Sequence, residues 1–129
     1  MSFTIRLWIA AGFATLLKLI CAATTLGTVD VASQFHFGKM IDLQSMEWLY
    51  TNDRLFNHMP LVGFFSAILY SATHGNPRLF AFFFRLPNIA ADLAALYALI
   101  SVIPLENRVN RWALMLFALS PVSFMVSAS

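Results

Sequence analysis

Long apolar runs separated by short polar breaks set the pattern of the chain. The first extends from Leu7 to Leu26. Twenty residues are about the length at which an α-helix crosses the hydrocarbon core of a bilayer. Arg6 precedes the run and Lys18 interrupts it. A charge in lipid is costly, so Lys18 is expected to face a helix partner or to snorkel to the surface. A secretory signal peptide is the rival reading, with Arg6 as its basic start and Cys21-Ala22-Ala23 near a cleavage site. A central lysine is foreign to such a segment, so the run predicts an uncleaved spanning helix.

The stretch Gly27 to Arg85 has a different pattern. It holds eight of the fourteen charged residues and all three histidines. Asp30 is placed to cap a helix running from Val31 towards Leu49, with Val31, Phe35, Met40, Ile41 and Trp48 as its apolar members. Gly38 weakens that periodicity, and an interfacial amphipathic helix fits better than a span. Thr51 to Met59 then reads as a loop. Leu61 to Ala72 is apolar for only twelve residues, which suits an interfacial or re-entrant segment. Pro60 is well placed as its first helical residue, and His74-Gly75-Asn76-Pro77-Arg78 closes it. The next run, Leu79 to Ile103, contains Arg85, Pro87, Asn88 and Asp92, and its spanning part is predicted at Leu86 to Ile103. Pro104 ends it, Leu105 to Arg111 forms a tight polar loop, and Trp112 to Ala128 is a further apolar run. The predicted class is an all-α membrane protein. It has about three transmembrane helices, with interfacial or re-entrant helices in the first outer loop, and residues 1–129 form a single integral membrane region.

Composition agrees with that class. Hydrophobic residues make up 60% and charged residues 11% of the chain, against about 45–50% and about 25% in soluble domains. Fourteen charges cannot cover the surface of so small a soluble protein. A soluble enzyme, a disordered chain and a nucleic-acid binder are thereby disfavoured. The net charge of +2 comes from scattered basic residues with no phosphate-binding stripe. Basic density does set an orientation: two Lys/Arg fall in the seven residues Leu105–Arg111, and four in the 59 residues Gly27–Arg85. The positive-inside rule then predicts a multi-pass protein of the cell membrane. Its N-terminus and Leu105–Arg111 are cytoplasmic, with Gly27–Arg85 and the C-terminus outside. Cys21, the sole cysteine, reads as a buried structural thiol.

Few residues offer chemistry. Asp30 stands just past the first span, where it is either a helix cap or a general base whose carboxylate is tuned by partial desolvation. Arg85 and Asp92 are seven residues apart, near one helix face. Arg85 either anchors the helix at the interface or grips an anionic headgroup, while Asp92 is expected to pair within the bundle. His36, His58 and His74 are spaced by 22 and 16 residues, which is not a metal-ligand pattern. No metal site is predicted; the cofactor is open, and no divalent metal is indicated. Asn57-His58-Met59-Pro60 fixes a polar pair at a helix start. No phosphate-binding loop, nucleophile elbow or Cys/His cluster occurs.

The order of these features resembles the N-terminal part of the GT-C membrane glycosyltransferases. The resembling elements are Gly27-Thr28-Val29-Asp30, Phe56-Asn57-His58-Met59-Pro60-Leu61, Arg85-Leu86-Pro87-Asn88-Ile89-Ala90-Ala91-Asp92-Leu93 and Leu119-Ser120-Pro121-Val122. The resemblance implies sugar transfer, with mannose as one candidate, from a polyprenyl-phosphate donor to an acceptor hydroxyl outside the membrane. It implies Asp30 as catalytic base, Arg85 near the lipid phosphate and His58 where the headgroup approaches. Met59 departs from the family by replacing the first of two prolines. Family enzymes also have many more helices. The chain is therefore expected to be an N-terminal fragment of a GT-C domain, inactive alone. Its partners would be membrane lipid, the donor, and the missing C-terminal helices or another membrane subunit, with no nucleic acid. The alternatives are a non-enzymatic small multi-pass membrane subunit and a transporter fragment.

Overall fold

The structure, a computed structural model, describes residues 2–120. Six α-helices follow in order: α1 Phe3–Thr24, α2 Val29–Leu43, α3 Met46–Asn52, α4 Pro60–Ala72, α5 Pro77–Val102 and α6 Arg108–Ala118. No strand occurs among the described residues. Helices α1 and α5 are long and apolar enough to cross a membrane. Only 22% and 28% of their most apolar windows is buried, whereas the core helix of a soluble protein is covered on most sides. The described residues form two compact units, one of residues 2–22 and 85–120, the other spanning Ala23–Phe84; the boundaries fall near the end of α1 and within α5.

In the first unit α1 buries Leu7, Ala11, Lys18 and Ala22, spacings of four and seven that mark one helix face. On α5 the buried positions Arg85, Ile89 and Leu96 repeat that spacing. Leu7, Ala11, Leu96 and Leu114 form the core. Arg85 meets Ala22 and Asp92 meets Lys18. As numbers rise along α5 their partners on α1 fall, so these helices run antiparallel. Ile9 and Phe13 face away and stay 58% exposed.

Helix α5 begins at Pro77, nine residues before the predicted start of the span. The sequence His74-Gly75-Asn76-Pro77-Arg78 is thus a helix start as well as a stop. His74 and Gly75 take φ of 52° and 67°, a left-handed pair that reverses the chain. The Asn76 side chain then accepts from the backbone N–H groups of Arg78 and Leu79 at 3.0 and 3.2 Å, and Pro77 needs no donor at the first position. Pro87 lies inside the helix without ending it.

The second unit corrects three further expectations. The helix predicted from Val31 to Leu49 is two helices, because Ser45 Oγ accepts from the Trp48 N–H at 3.0 Å and starts α3. Thr28, not Asp30, occupies the N-cap of α2, and its side chain makes no cap bond. Helix α3 continues to Asn52, which shortens the predicted loop at its Thr51 end. Pro60 does open α4. Helices α2 and α4 cross at Gly38, where a Cβ would overlap the Ser66 carbonyl oxygen and lie 2.8 Å from its carbon. Beside the crossing, buried Ser66 donates to Gln34 Oε1 at 2.8 Å. Phe37, Leu49 and Phe56 form one core cluster and Val31, Phe80 and Ala81 another.

The predicted loop Leu105–Arg111 is also shorter, since Asn107 Oδ1 accepts from the Val109 N–H at 2.8 Å and α6 starts at Arg108. The predicted apolar run to Ala128, and the Leu119–Val122 element from Pro121 on, lie partly outside the described residues.

Candidate functional site

Asp30 is exposed in the first turn of α2, four residues of link past the end of α1. A carboxylate there complements the partial positive charge of the helix start without serving as its cap. Its exposure leaves it open to a solute.

His58 is half-buried just before α4. Its ring lies edge-on to Phe37 and Phe56, with centroids 5.9 and 5.8 Å away. The backbone is fixed as well, because the Tyr50 hydroxyl donates to the His58 carbonyl at 2.6 Å. Asp30 and His58 share a unit. Phe37, against which His58 packs, is seven residues along α2 from Asp30, about 10 Å of helix rise. No hydrogen bond joins Asp30 to His58 among the described residues.

Arg85 belongs to the other unit and is 1% exposed. Its Nη1 donates to the Ala22 carbonyl at 3.2 Å. Ala22 is in the last turn of α1, where backbone carbonyls carry partial negative charge and a cation is favourable. The same helix pair holds Lys18 Nζ 2.6 Å from Asp92 Oδ2. Of the predicted partners for Lys18 and Asp92, each proves to be the other's.

Comparison with protein-family models, curated proteins and solved structures finds no match.

Two further polar contacts lie within the second unit. His36 Nε2 lies 3.2 Å from Asp53 Oδ2, and Ser71 donates to Asp42 at 2.6 Å. Among the described residues, no group of three His, Cys, Asp or Glu side chains is placed to hold a metal ion. Cys21 is half-buried and forms no disulfide.

Sequence reasoning passed over two arrangements. Gln34 and Ser66 make a buried polar contact whose only sequence signal is polar side chains within apolar helices. Arg6, Arg108 and Arg111 line one cavity of the first unit together with Phe3, Trp112 and Met115. Their signal was present, since basic density beside apolar runs had placed all three on one side, but charge counting does not show convergence on a cavity.

Proposed function

We propose that this chain forms the N-terminal part of a GT-C type membrane glycosyltransferase. It transfers a sugar, with mannose as one candidate, from a polyprenyl phosphate to an acceptor hydroxyl on the outer side of the cell membrane. The observation that carries this reading is Asp30, an exposed carboxylate at the start of a helix shortly after α1 leaves its apolar run. A lipid-linked donor keeps its chain in the bilayer and its anomeric carbon at the surface, so a base must stand at that level. Asp30 takes the proton of the acceptor hydroxyl. The acceptor oxygen bonds to the anomeric carbon as the bond from that carbon to the phosphate oxygen breaks. Polyprenyl phosphate leaves with the electron pair, and a cation stabilises it.

In this reading His58 approaches the headgroup, and Arg85, which the resemblance puts near the lipid phosphate, supplies the cation only once its guanidinium leaves the Ala22 carbonyl. The chain crosses three times with its N-terminus cytoplasmic, and the segment holding Asp30 and His58 lies outside. Further helices, or another membrane subunit, complete the site. The cofactor is left open in this reading.

The test is sugar transfer in membranes carrying the native protein, with polyprenyl-phosphate mannose as donor. Asp30→Asn keeps size and helix-start compatibility but removes the proton-accepting charge. Transfer is expected to fall about 10²–10⁴-fold with membrane insertion and protein level unchanged. Near-normal transfer assigns Asp30 to the helix dipole and overturns the catalytic role.

A second reading, the small non-enzymatic membrane subunit, is favoured by Arg85. Its guanidinium is enclosed and bonded to the end of α1, which is the behaviour of a structural anchor. Arg85→Lys separates the two readings. A weaker helix-end contact with intact transfer supports the anchor, whereas lost transfer in a stable variant supports phosphate binding.

A further inference from the structure

In the first unit the starts of α1 and α6 border a cavity of about 280 Å3, lined by Phe3, Arg6, Arg108, Arg111, Trp112 and Met115. Among the described residues, three guanidiniums and no carboxylate line it. The arrangement is electrostatically costly as it stands. A helix N-terminus carries about half a positive charge and favours anions, yet neither α1 nor α6 has an acidic residue in its first turn. Arg6 is the fourth residue of α1, and Arg108 and Arg111 are the first and fourth of α6. Side-chain charge and helix dipoles therefore add at the same mouth instead of cancelling. The ion pairs among the described residues join Lys18 to Asp92 and His36 to Asp53, so neither relieves these arginines.

The aromatic wall adds shape. The Arg111 guanidinium carbon lies 5.9 Å from the centroid of the Phe3 ring, a cation–π distance that holds the side chain against the cavity wall. Trp112 is 59% exposed at the rim, the amphipathic residue type that settles at a membrane–water boundary.

We propose that this cavity binds a phosphate group, with Arg6, Arg108 and Arg111 as its ligands. Guanidinium groups match phosphate oxygens with paired hydrogen bonds, and the bound anion neutralises both the arginines and the two helix starts. The phosphate comes from an anionic phospholipid headgroup or from a soluble phosphate. The site uses none of Asp30, His58 or Arg85 and stands independently of the sugar-transfer reading.

The full chain, carrying Trp8→Phe and Trp48→Phe so that Trp112 is the sole tryptophan, is placed in phosphatidylcholine nanodiscs. Trp112 emission is followed as phosphatidic acid replaces phosphatidylcholine, and in a second arm as inorganic phosphate is added to neutral discs. A saturable change in the first arm alone assigns the site to a lipid headgroup. Saturation by inorganic phosphate supports the phosphate site with a soluble ligand. The pair Arg108→Gln and Arg111→Gln is expected to shift the midpoint by about tenfold or more, the loss for removed charged hydrogen bonds. Lys39→Gln, a charge removal in the other unit, should leave the midpoint unchanged. The pair Arg108→Lys and Arg111→Lys keeps the charge that sets orientation, and a midpoint tighter than that of the glutamine pair ties the loss to the cavity and not to inverted insertion. No saturation in either arm, or an unchanged midpoint in the glutamine pair, overturns the proposal.

Discussion

Lys18 and Asp92 place opposite charges 2.6 Å apart, with Lys18 enclosed and the Asp92 side chain 30% exposed. Removing one partner of an enclosed pair leaves the other charge poorly compensated, a loss of about 3–5 kcal/mol when burial is complete. The exposure of Asp92 puts the expected loss near the low end. Lys18→Met should lower the midpoint of thermal unfolding in detergent. The double variant Lys18→Met with Asp92→Leu should recover most of it, because an apolar pair of similar volume has no charge to strand. A double variant as unstable as the single one would show that the pair is not coupled. His58 makes a second residue-scale case. Its ring packs on Phe37 and Phe56, and aromatic pairs contribute about 0.5–1.5 kcal/mol. His58→Ala should lose about that much, and His58→Phe should keep it. Loss of sugar transfer in the stable Phe variant then reports the imidazole, whereas full transfer makes His58 a packing residue. The need of Lys18 and Asp92 for partners was legible in the sequence. Their pairing was not, because 74 residues separate them and periodicity carries no long-range register.

Gly38 shows how one residue governs an element. In the sequence it only weakens the apolar pattern of α2. In the fold it is where α2 meets the backbone of α4, with the position of an added Cβ overlapping the Ser66 carbonyl. Backbone cannot move aside as a side-chain tip can, so Gly38→Ala should destabilise the second unit by about 1–3 kcal/mol. The loss is read as earlier unfolding, by hydrogen exchange, of α2 and α4 than of α1. Gly63 is a control with the opposite surroundings. An added Cβ there meets side chains and no backbone, the flexible Met46 methyl at 2.7 Å and the Phe56 Cζ at 3.0 Å, so Gly63→Ala should be milder. If both variants behave alike, close backbone approach at Gly38 is not what fixes the crossing. The element starts that carry a local rule were the legible ones, as with Pro60 at the head of α4. The break at Gln44–Ser45 was missed because Ser45 sits inside an apolar pattern that reads on through it. The start of α5 was missed because Asn76 and Pro77 were taken to end one helix, though asparagine at the cap and proline at the first position equally begin another.

At the scale of the whole molecule, run length and composition made the helical class legible, and α1 and α5 emerge with lengths that suit a bilayer. Their 22 and 26 residues span about 33 and 39 Å at 1.5 Å per residue, against a hydrocarbon core of about 30 Å. Helix α4, at 13 residues, reaches only about 20 Å. It also turns Gly63 and Ser66 inward within its own unit, where the Ser66 hydroxyl bonds Gln34 of α2. A lone α4 crossing the bilayer would have to thin the membrane or leave its ends outside the hydrocarbon, and would bring α2's polar residues with it. The expected topology therefore keeps α4 on the outer side and makes α5 the return crossing. Two single-cysteine proteins, His58→Cys and Asn107→Cys, each with Cys21→Ala, test this in sealed membranes with a reagent that cannot cross the bilayer. If α4 does not cross, α5 alone separates the two positions, and only His58→Cys reacts from outside while Asn107→Cys reacts after permeabilisation. If α4 crosses, the chain passes the membrane twice between them and both label from the same side. Same-side labelling would also put Arg108 and Arg111, which stand immediately after Asn107, on the side opposite Arg6. It would thereby contradict the cavity that the three arginines share and remove the charge asymmetry on which the orientation rests.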